Sequence, residues 1–288
     1  MAEDGQSRPG VGKPAGGPIM PPMFRLSREV RFAVNAAPDH QPEGPPTNAY
    51  AGFPSLNGLG HYFALAVTVV GELDADSSYL LNIKDVDRAV RRRAIPVVED
   101  VVRHRPRSFG AATLVEVFNV LKDAWPGARL AELRLALSPF LSIAALAEEF
   151  PMTRLSQQFE FSASHRLHNP ALSDDANRRT YGKCNNPHGH GHNYEVRVTL
   201  AGTPADDTGL LVDVPAFERT VAEAVIDRLD HKNLNVEVPE FGDLIPSVEN
   251  IARVIYGLLK PKLETGRTRL ASVTVWETPK TWCEYCED

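Results

Sequence analysis

From Gln157 to His165 apolar and polar residues alternate. Phe159, Phe161, Ala163 and His165 fall on one side, and Glu160, Ser162 and Ser164 on the other. A period of two marks a half-buried strand. The alternation returns from Gly189 to Ala201, where His190, His192, Tyr194, Val196, Val198 and Leu200 share a face opposite Asn193, Glu195, Arg197 and Thr199. A Gly/Pro/Asp-rich turn over 202–209 ends this second strand. The period then becomes helical: Phe217, Val221, Val225 and Leu229 recur in steps of four, after Asp213 as a cap and Pro215 in the first turn. Ile251, Val254, Ile255, Leu258 and Leu259 form the stripe of a second helix, which starts after Pro246-Ser247. Strands over 270–277 and 281–286 close the series, and the stretch between the first two strands reads as a long loop. The order strand, strand, helix, helix, strand, strand predicts an antiparallel sheet with two helices on one face, an α+β arrangement.

The same order occurs twice. Moved back by 131 positions, GHGHNYEV (189–196) falls on GLGHYFAL (58–65), and LLVDVPAFERTV (210–221) on YLLNIKDVDRAV (79–90). With a small further shift LASVTVWETPKTW (270–282) lies on LAELRLALSPFLS (130–142). The chain is therefore expected to hold two copies of one module, over 24–150 and 151–288, behind a Gly/Pro-rich disordered tail over 1–23.

Composition narrows the functional classes. The chain has 288 residues, 43% apolar and 24% charged, which is ordinary for a globular protein of about two domains. A net charge of −6, with Arg91-Arg92-Arg93 as the densest basic run, argues against nucleic acid as partner. No apolar run approaches the ~18 residues of a membrane span, and the first residues have no signal-peptide core. Three cysteines suit a reducing cytoplasm, and Cys283-x-x-Cys286 is read as a feature of the tail.

Histidine changes the picture. Six of the nine histidines lie between His165 and His231. If the two strands pair, His165, His190 and His192 converge, and three protein ligands with a fourth position left open is the pattern of a catalytic zinc site. The alternative is strand-end histidines bonded to backbone. Cys184, in the loop between the ligand strands, could serve as base or nucleophile, or be a small buried residue. Asp230-His231 could be a carboxylate orienting an imidazole for proton transfer, or a histidine at a helix C-terminus. Glu277, on the apolar strand Val273–Glu277, is costly to bury unless it has a partner, such as the N–H groups of an amidine-like ligand. In the first copy Ala36, Phe53, Leu59 and Leu137 stand at the places of His165, Cys184, His190 and Glu277. Glu99-Asp100 replaces Asp230-His231, and only His61 matches, at His192. That copy is read as structural, without a metal.

The segments FSASHRLHNP, YGKCNNPHGHGHNY, LDHKNLN, SVEN and VWETP resemble the 6-pyruvoyl-tetrahydropterin synthase / 6-carboxytetrahydropterin synthase family of the tunnelling fold, and together they span nearly all of 157–288. The resemblance implies two tandem tunnelling-fold modules, each a four-stranded antiparallel sheet with two helices on one face. It implies a zinc-dependent lyase acting on 7,8-dihydroneopterin triphosphate. His165, His190 and His192 would hold Zn2+, Cys184 would remove a side-chain proton, Asp230 and His231 would complete the relay, and Glu277 would anchor the pyrimidine edge of the pterin. Family members form rings, so a homo-oligomer is expected: a trimer of two-module chains, with active modules in one ring and degenerate ones in another. Lys183, Arg178, Arg179 and Lys232 are candidates to hold the triphosphate.

Within the family two products compete. The Ala/Arg-rich, untargeted chain suggests a bacterial, cytoplasmic protein and favours the 6-carboxy product of queuosine synthesis, formed with loss of acetaldehyde. The segment CNNPHGHGHNY is closer to the 6-pyruvoyl type of tetrahydrobiopterin synthesis. A non-catalytic pterin- or zinc-binding protein is the reading from another class, and intact Cys184, Asp230 and His231 argue against it.

Overall fold

The structure, a computed structural model, describes residues 23–37 and 44–287. The tail expected over 1–23 lies, except for Met23, outside the described residues. The N-terminal half pairs β1 (Phe24–Asn35) with β2 (Gly60–Gly71), then runs through α1 (Ile83–Ala89), a wide π-helical turn (Val90–Ala94), α2 (Ile95–His104) and α3 (Ala111–Leu121) into β3 (Ala128–Ala136) and β4 (Leu141–Leu146). The C-terminal half repeats the scheme. It has β5 (Thr153–His165), α4 (Asp174–Tyr181), β6 (His190–Gly202), α5 (Val214–Val221), a π-helical turn (Ala222–Ile226), α6 (Asp227–Leu229), β7 (Lys232–Asn233), α7 (Leu234–Glu237), α8 (Val248–Leu263), β8 (Thr268–Thr278) and β9 (Thr281–Tyr285).

The two expected four-stranded sheets are one sheet in the structure. Its order is β1-β2-β3-β4-β5-β6-β8-β9, with β7 alongside β5. The joint is the antiparallel ladder of β4 and β5, from Leu141↔Gln157 to Ala144↔Arg154. The reason is local. Only residues 147–152 link the two strands, so they return on each other as sequential neighbours do. Arg154 clamps that link through two hydrogen bonds to the Glu149 carboxylate, at 2.7 and 2.8 Å. An expected long loop is also partly helix. Ser173 accepts the Ala176 N–H and starts α4, a helix that the period could not show because it has no apolar stripe.

Local details coincide between the halves. A register shift interrupts β2–β3 between Thr68 and Val69, and β6–β8 between Thr199 and Leu200. The Ser27 and Thr68 hydroxyls meet at 2.8 Å, and those of Ser156 and Thr199 at 3.0 Å. Asn82 and Asp213 cap the corresponding helices. In each half one sheet face meets the helices. Phe32, Leu65, Leu133, Val90 and Leu114 of the N-terminal half and Val196, Val198, Val273, Val221, Ile251 and Ile255 of the C-terminal half are all buried in one hydrophobic cluster. Each such side chain contributes about 1.5–3 kcal/mol relative to exposure. Among the described residues no helix is long and apolar enough to cross a membrane.

Two glycines test the packing in opposite directions. A Cβ on Gly202, at the end of β6, would lie 2.1 Å from the Arg267 carbonyl oxygen. Gly202→Ala should therefore destabilise the fold by about 2 kcal/mol or more. Gly257, exposed within α8, has open space around its Cβ position, so Gly257→Ala should stabilise by about 0.5–1 kcal/mol. Denaturant melts of both variants check the pair.

Candidate active site

β5 and β6 pair without interruption from Thr153↔Gly202 to His165↔His190, with Ala163 opposite His192. Residues directly opposite each other share a face, so the ladder delivers all three imidazoles to the helix-facing side. His165 is completely buried. Its Nδ1 donates to the Pro246 carbonyl at 2.7 Å, which leaves the Nε2 lone pair facing His190 Nε2 at 3.2 Å. A backbone oxygen on the far nitrogen is the usual orienting device for a metal-ligating histidine. The carbonyl is itself held in place, because Pro246 precedes Ser247, the cap of α8, and Asn250 Nδ2 bonds back to the Ile245 oxygen at 2.8 Å. The SVEN segment thus shapes the seat of His165.

Glu277 enters from β8. Its Oε1 lies 3.3 Å from His165 Nε2 and 3.6 Å from His192 Nε2. One donor atom from each of His165, His190, His192 and Glu277 falls within 4.8 Å of all the others. Burial pushes the imidazoles of His165 and His192 below the usual histidine range. His192 Nε2 is buried without a hydrogen-bond partner, which is expensive for a polar atom unless something else occupies it. Zinc–ligand bonds of about 2.0–2.1 Å give tetrahedral edges of about 3.3–3.4 Å. The donor set and its spacing therefore fit zinc. Beneath the cluster lies Tyr194, fully buried and stacked on Phe161 at 4.9 Å. Burial, with the Glu277 and Cys184 charges nearby, pushes its phenol above the usual range.

The other predicted residues fall into two groups. Asp230 and His231 form one unit on the outer edge of β5. Asp230 Oδ1 accepts the Ser162 N–H at 2.8 Å and Oδ2 meets His231 Nδ1 at 2.8 Å, while the His231 N–H donates to the Ser162 oxygen at 2.6 Å. The Ser162 N–H, with help from His231, holds the Asp230 carboxyl below the usual range. His231 adopts φ 55°, a strained conformation for a non-glycine residue, and such strain clusters at functional sites. Its side chain is 83% exposed, free to meet a substrate. An open cleft of about 520 Å³ is lined by both His192 and His231, with Ser162, Ser164, Asn193 and Glu237. Cys184 stands apart from that cleft, half-buried in the turn Gly182–Asn185, its carbonyl accepting the Leu167 N–H at 2.9 Å. His168 meets Asn185 Nδ2 at 3.1 Å, and His188 is exposed. Neither joins the cluster. Of the basic candidates, Arg178 is paired with Asp175 and Lys232 with Glu237, while Arg179 and Lys183 are exposed.

Sequence reasoning missed three supports. Besides Pro246, Asn235 grips the backbone next to His165, accepting the Arg166 N–H at 2.7 Å and donating to the Arg166 oxygen at 3.0 Å. Fully buried Asn177 ties the Asn169–Ser173 turn with four hydrogen bonds. Asn235, the last residue of LDHKNLN, was the available signal, whereas Asn177 and Pro246 lie outside the resembling segments. In the N-terminal half, Val34 pairs with His61 as Ala163 does with His192, and Ala36 bonds Leu59 at the level of His165 and His190.

The fold and site define a class: a mixed α/β enzyme with a histidine–carboxylate cluster that could hold a metal ion, beside an Asp–His pair. Residues 154–288 match the sequence model of a family described as 6-pyruvoyl tetrahydropterin synthase. The 6-pyruvoyl tetrahydrobiopterin synthase of Homo sapiens is 43% identical over 125 residues, 43% of this chain and 85% of that protein. The 6-carboxy-5,6,7,8-tetrahydropterin synthase of Bacillus subtilis is 28% identical over 145 residues, 49% and 93% of the two chains. The solved 6-pyruvoyl tetrahydropterin synthase of Caenorhabditis elegans is 35% identical and covers 49% of this chain and 99% of its own, with a TM-score of 0.46. The chain belongs to the 6-pyruvoyl tetrahydropterin synthase family and is a lyase of that family.

Chelator-treated protein should take back one zinc per chain. His192→Ala should weaken that binding by at least about 100-fold, since loss of a direct ligand exceeds the 10–100-fold cost of losing an orienting group. His61→Ala should leave it unchanged, as measured by competition with a metal-sensitive dye.

Proposed function

We propose that the chain is a zinc-dependent 6-pyruvoyl-tetrahydropterin synthase, which converts 7,8-dihydroneopterin triphosphate to the 6-pyruvoyl product with elimination of triphosphate. The observation that carries the choice of product is similarity. The human protein named for the 6-pyruvoyl product shares 43% identity, against 28% for the Bacillus subtilis protein named for the 6-carboxy product. This replaces the preference for the 6-carboxy product drawn from composition, which reports on origin and not on the site. In this reading His165, His190 and His192 hold the zinc. The metal supplies Lewis acidity that makes the neighbouring C–H and O–H protons of the substrate side chain easier to remove. Glu277 accepts the N–H groups of the pterin's pyrimidine edge. Cys184 takes a side-chain proton, and His231, oriented by Asp230, carries a proton at its exposed imidazole. Proton movements of this kind rearrange the side chain without a redox cofactor.

The N-terminal half serves in this reading as an assembly copy without metal. The internal joint supports one place for it in an oligomer. β4 covers only the lower part of β5, Arg154 to Gln157, and the upper part is held at Ser162 by Asp230 and His231. β1 is covered in its upper part too. Asn48 and the Phe53-Pro54 segment bond to Glu29, Arg31 and Ala33. Over Phe24–Arg28, no described residue pairs with its outer edge. β9 of a second copy fits there. Repeating the β4–β5 register puts Trp282, 57% exposed, opposite Ser27, and Glu284 opposite Arg25. Copies then join head to tail and the unlike halves alternate in one sheet. Separate rings of like halves would require the β4–β5 ladder to break.

Two experiments test these readings. Zinc-loaded protein incubated with 7,8-dihydroneopterin triphosphate should release triphosphate and a 6-pyruvoyl pterin by mass spectrometry; acetaldehyde in the mixture would restore the 6-carboxy reading. Cys184→Ala and His231→Ala should each lower kcat by about 10²–10⁴-fold without shifting the melting temperature. For assembly, Arg25→Glu and Glu284→Arg should each weaken the oligomer in sedimentation runs, and the two changes in one chain should restore it. A monomeric parent protein would refute the joint.

A further inference from the structure

We infer that the N-terminal half carries an anion site of its own, a basic cleft between α1 and residues 46–48 that takes a chain of phosphates, free or carried on a nucleoside. The cleft lies in the half without the histidine cluster and does not depend on the metal reading.

Its volume is about 610 Å³. Pro46 and Asn48 line it from the loop, and Asn48 is pinned to β1 by bonds with the Arg31 N–H and the Glu29 oxygen. Arg28 and Asp87 also line it, with Lys84, Arg88, Arg91 and Arg92 from α1 and the π-helical turn. Two of these cations are neutralised. Arg28 grips Asp87 with two hydrogen bonds, at 2.8 and 2.9 Å, and Arg88 pairs with Asp85 at 2.8 Å. Lys84, Arg91 and Arg92 form no ion pair among the described residues. Arg91 is half-buried, and its hydrogen bonds go to neutral acceptors, the Thr47 and Phe53 carbonyls. Burial pushes its guanidinium below the usual arginine range, against the pull of Asp87. A cation withdrawn from water without a counter-ion is costly, and a bound anion removes that cost.

The C-terminal half is a control within the same chain. Ser27 meets Thr68 as Ser156 meets Thr199, and Asn82 caps α1 as Asp213 caps α5. By that correspondence Arg28 with Asp87 stands where Gln157 bonds Glu218. Lys84, Arg91 and Arg92 stand where the other half has Pro215, Ala222 and Glu223. The fold therefore does not require cations at these places, and the surplus charge belongs to this half alone. Lys84, Arg88 and Arg92 follow at steps of four, so at about 1.5 Å per residue the charge spreads over roughly 12 Å. One phosphate meets only part of that spread, whereas a triphosphate extends along it. Guanidinium forks and a lysine ammonium are the groups that bind phosphate oxygens best.

The test uses full-length parent protein and inorganic triphosphate, followed by titration calorimetry and amide hydrogen exchange. Triphosphate should slow exchange over 45–54 and 83–94. Lys84→Glu with Arg92→Glu, a charge reversal at two exposed side chains, should weaken binding at least about 10-fold and abolish that protection. Arg103→Glu with Lys122→Glu makes the same change in net charge at exposed positions outside the cleft, and should keep affinity within about twofold because distant exposed charges are screened. Equal losses in the two double variants would mean general attraction and overturn the inference. So would protection confined to the C-terminal half, or orthophosphate binding as tightly as triphosphate. ATP tells the two sources apart, since only a nucleoside carrier makes it bind more tightly than free triphosphate. Melting of the ligand-free variants checks that each is folded, and exchange on the parent protein locates the site without any variant.

Discussion

The site depends on the unbroken register of β5 on β6. Thirteen paired positions, from Thr153↔Gly202 to His165↔His190, run without a bulge. Side chains alternate faces with a period of two, so a slip of one residue would turn His190 and His192 to the opposite side and expose Tyr194 and Val196. The apolar residues and the imidazoles lie on the same face. The burial that stabilises the sheet therefore also fixes the imidazoles of the cluster. Tyr194, Val196, Val198 and Leu200, each fully buried, hold the register that His190 and His192 need.

Much of this was legible in the sequence, because it depends on parity. Phe159, Phe161, Ala163 and His165 announced one strand, and His190 through Leu200 the other. The four-residue steps from Phe217 to Leu229 announced the first helix, although the π-helical turn at Ala222–Ile226 leaves no mark in such spacing. The alternation Val273, Val275, Glu277 in the sequence already sets Glu277 on the inner face of its strand. α4 was hidden because a short helix of Asp, Asn and Arg has no stripe to find. Pro246 and Asn235 were hidden for another reason. Both act on His165 or its neighbour through backbone atoms, from far along the chain, and a pattern of side chains does not record that.

The union of the halves in one sheet was also invisible to periodicity. Each half by itself satisfies the alternation expected of a separate sheet, and nothing in the spacing tells an outer edge from an inner one. What decides the matter is the short link over 147–152, with Glu149 held by Arg154. A tight return makes β4 and β5 neighbours, and their backbone groups then pair because unpaired edges are costly to leave open.

β1 and β5 differ in how their upper edges are closed. Above the joint, the edge of β5 is held by Asp230 and His231, which leave an exposed imidazole over an open cleft. The same stretch of β1 is closed by Phe53-Pro54 and Asn48, with Arg91 bonded to the Phe53 oxygen and its guanidinium over the Phe53 ring. One edge carries an exposed imidazole, and the other is packed. Where His165 and His190 stand on β5 and β6, the N-terminal half has Ala36 and Leu59, which place no buried donor in need of a cation. The lower edge of β1, by contrast, is the outer edge of the sheet and has no strand paired to it among the described residues.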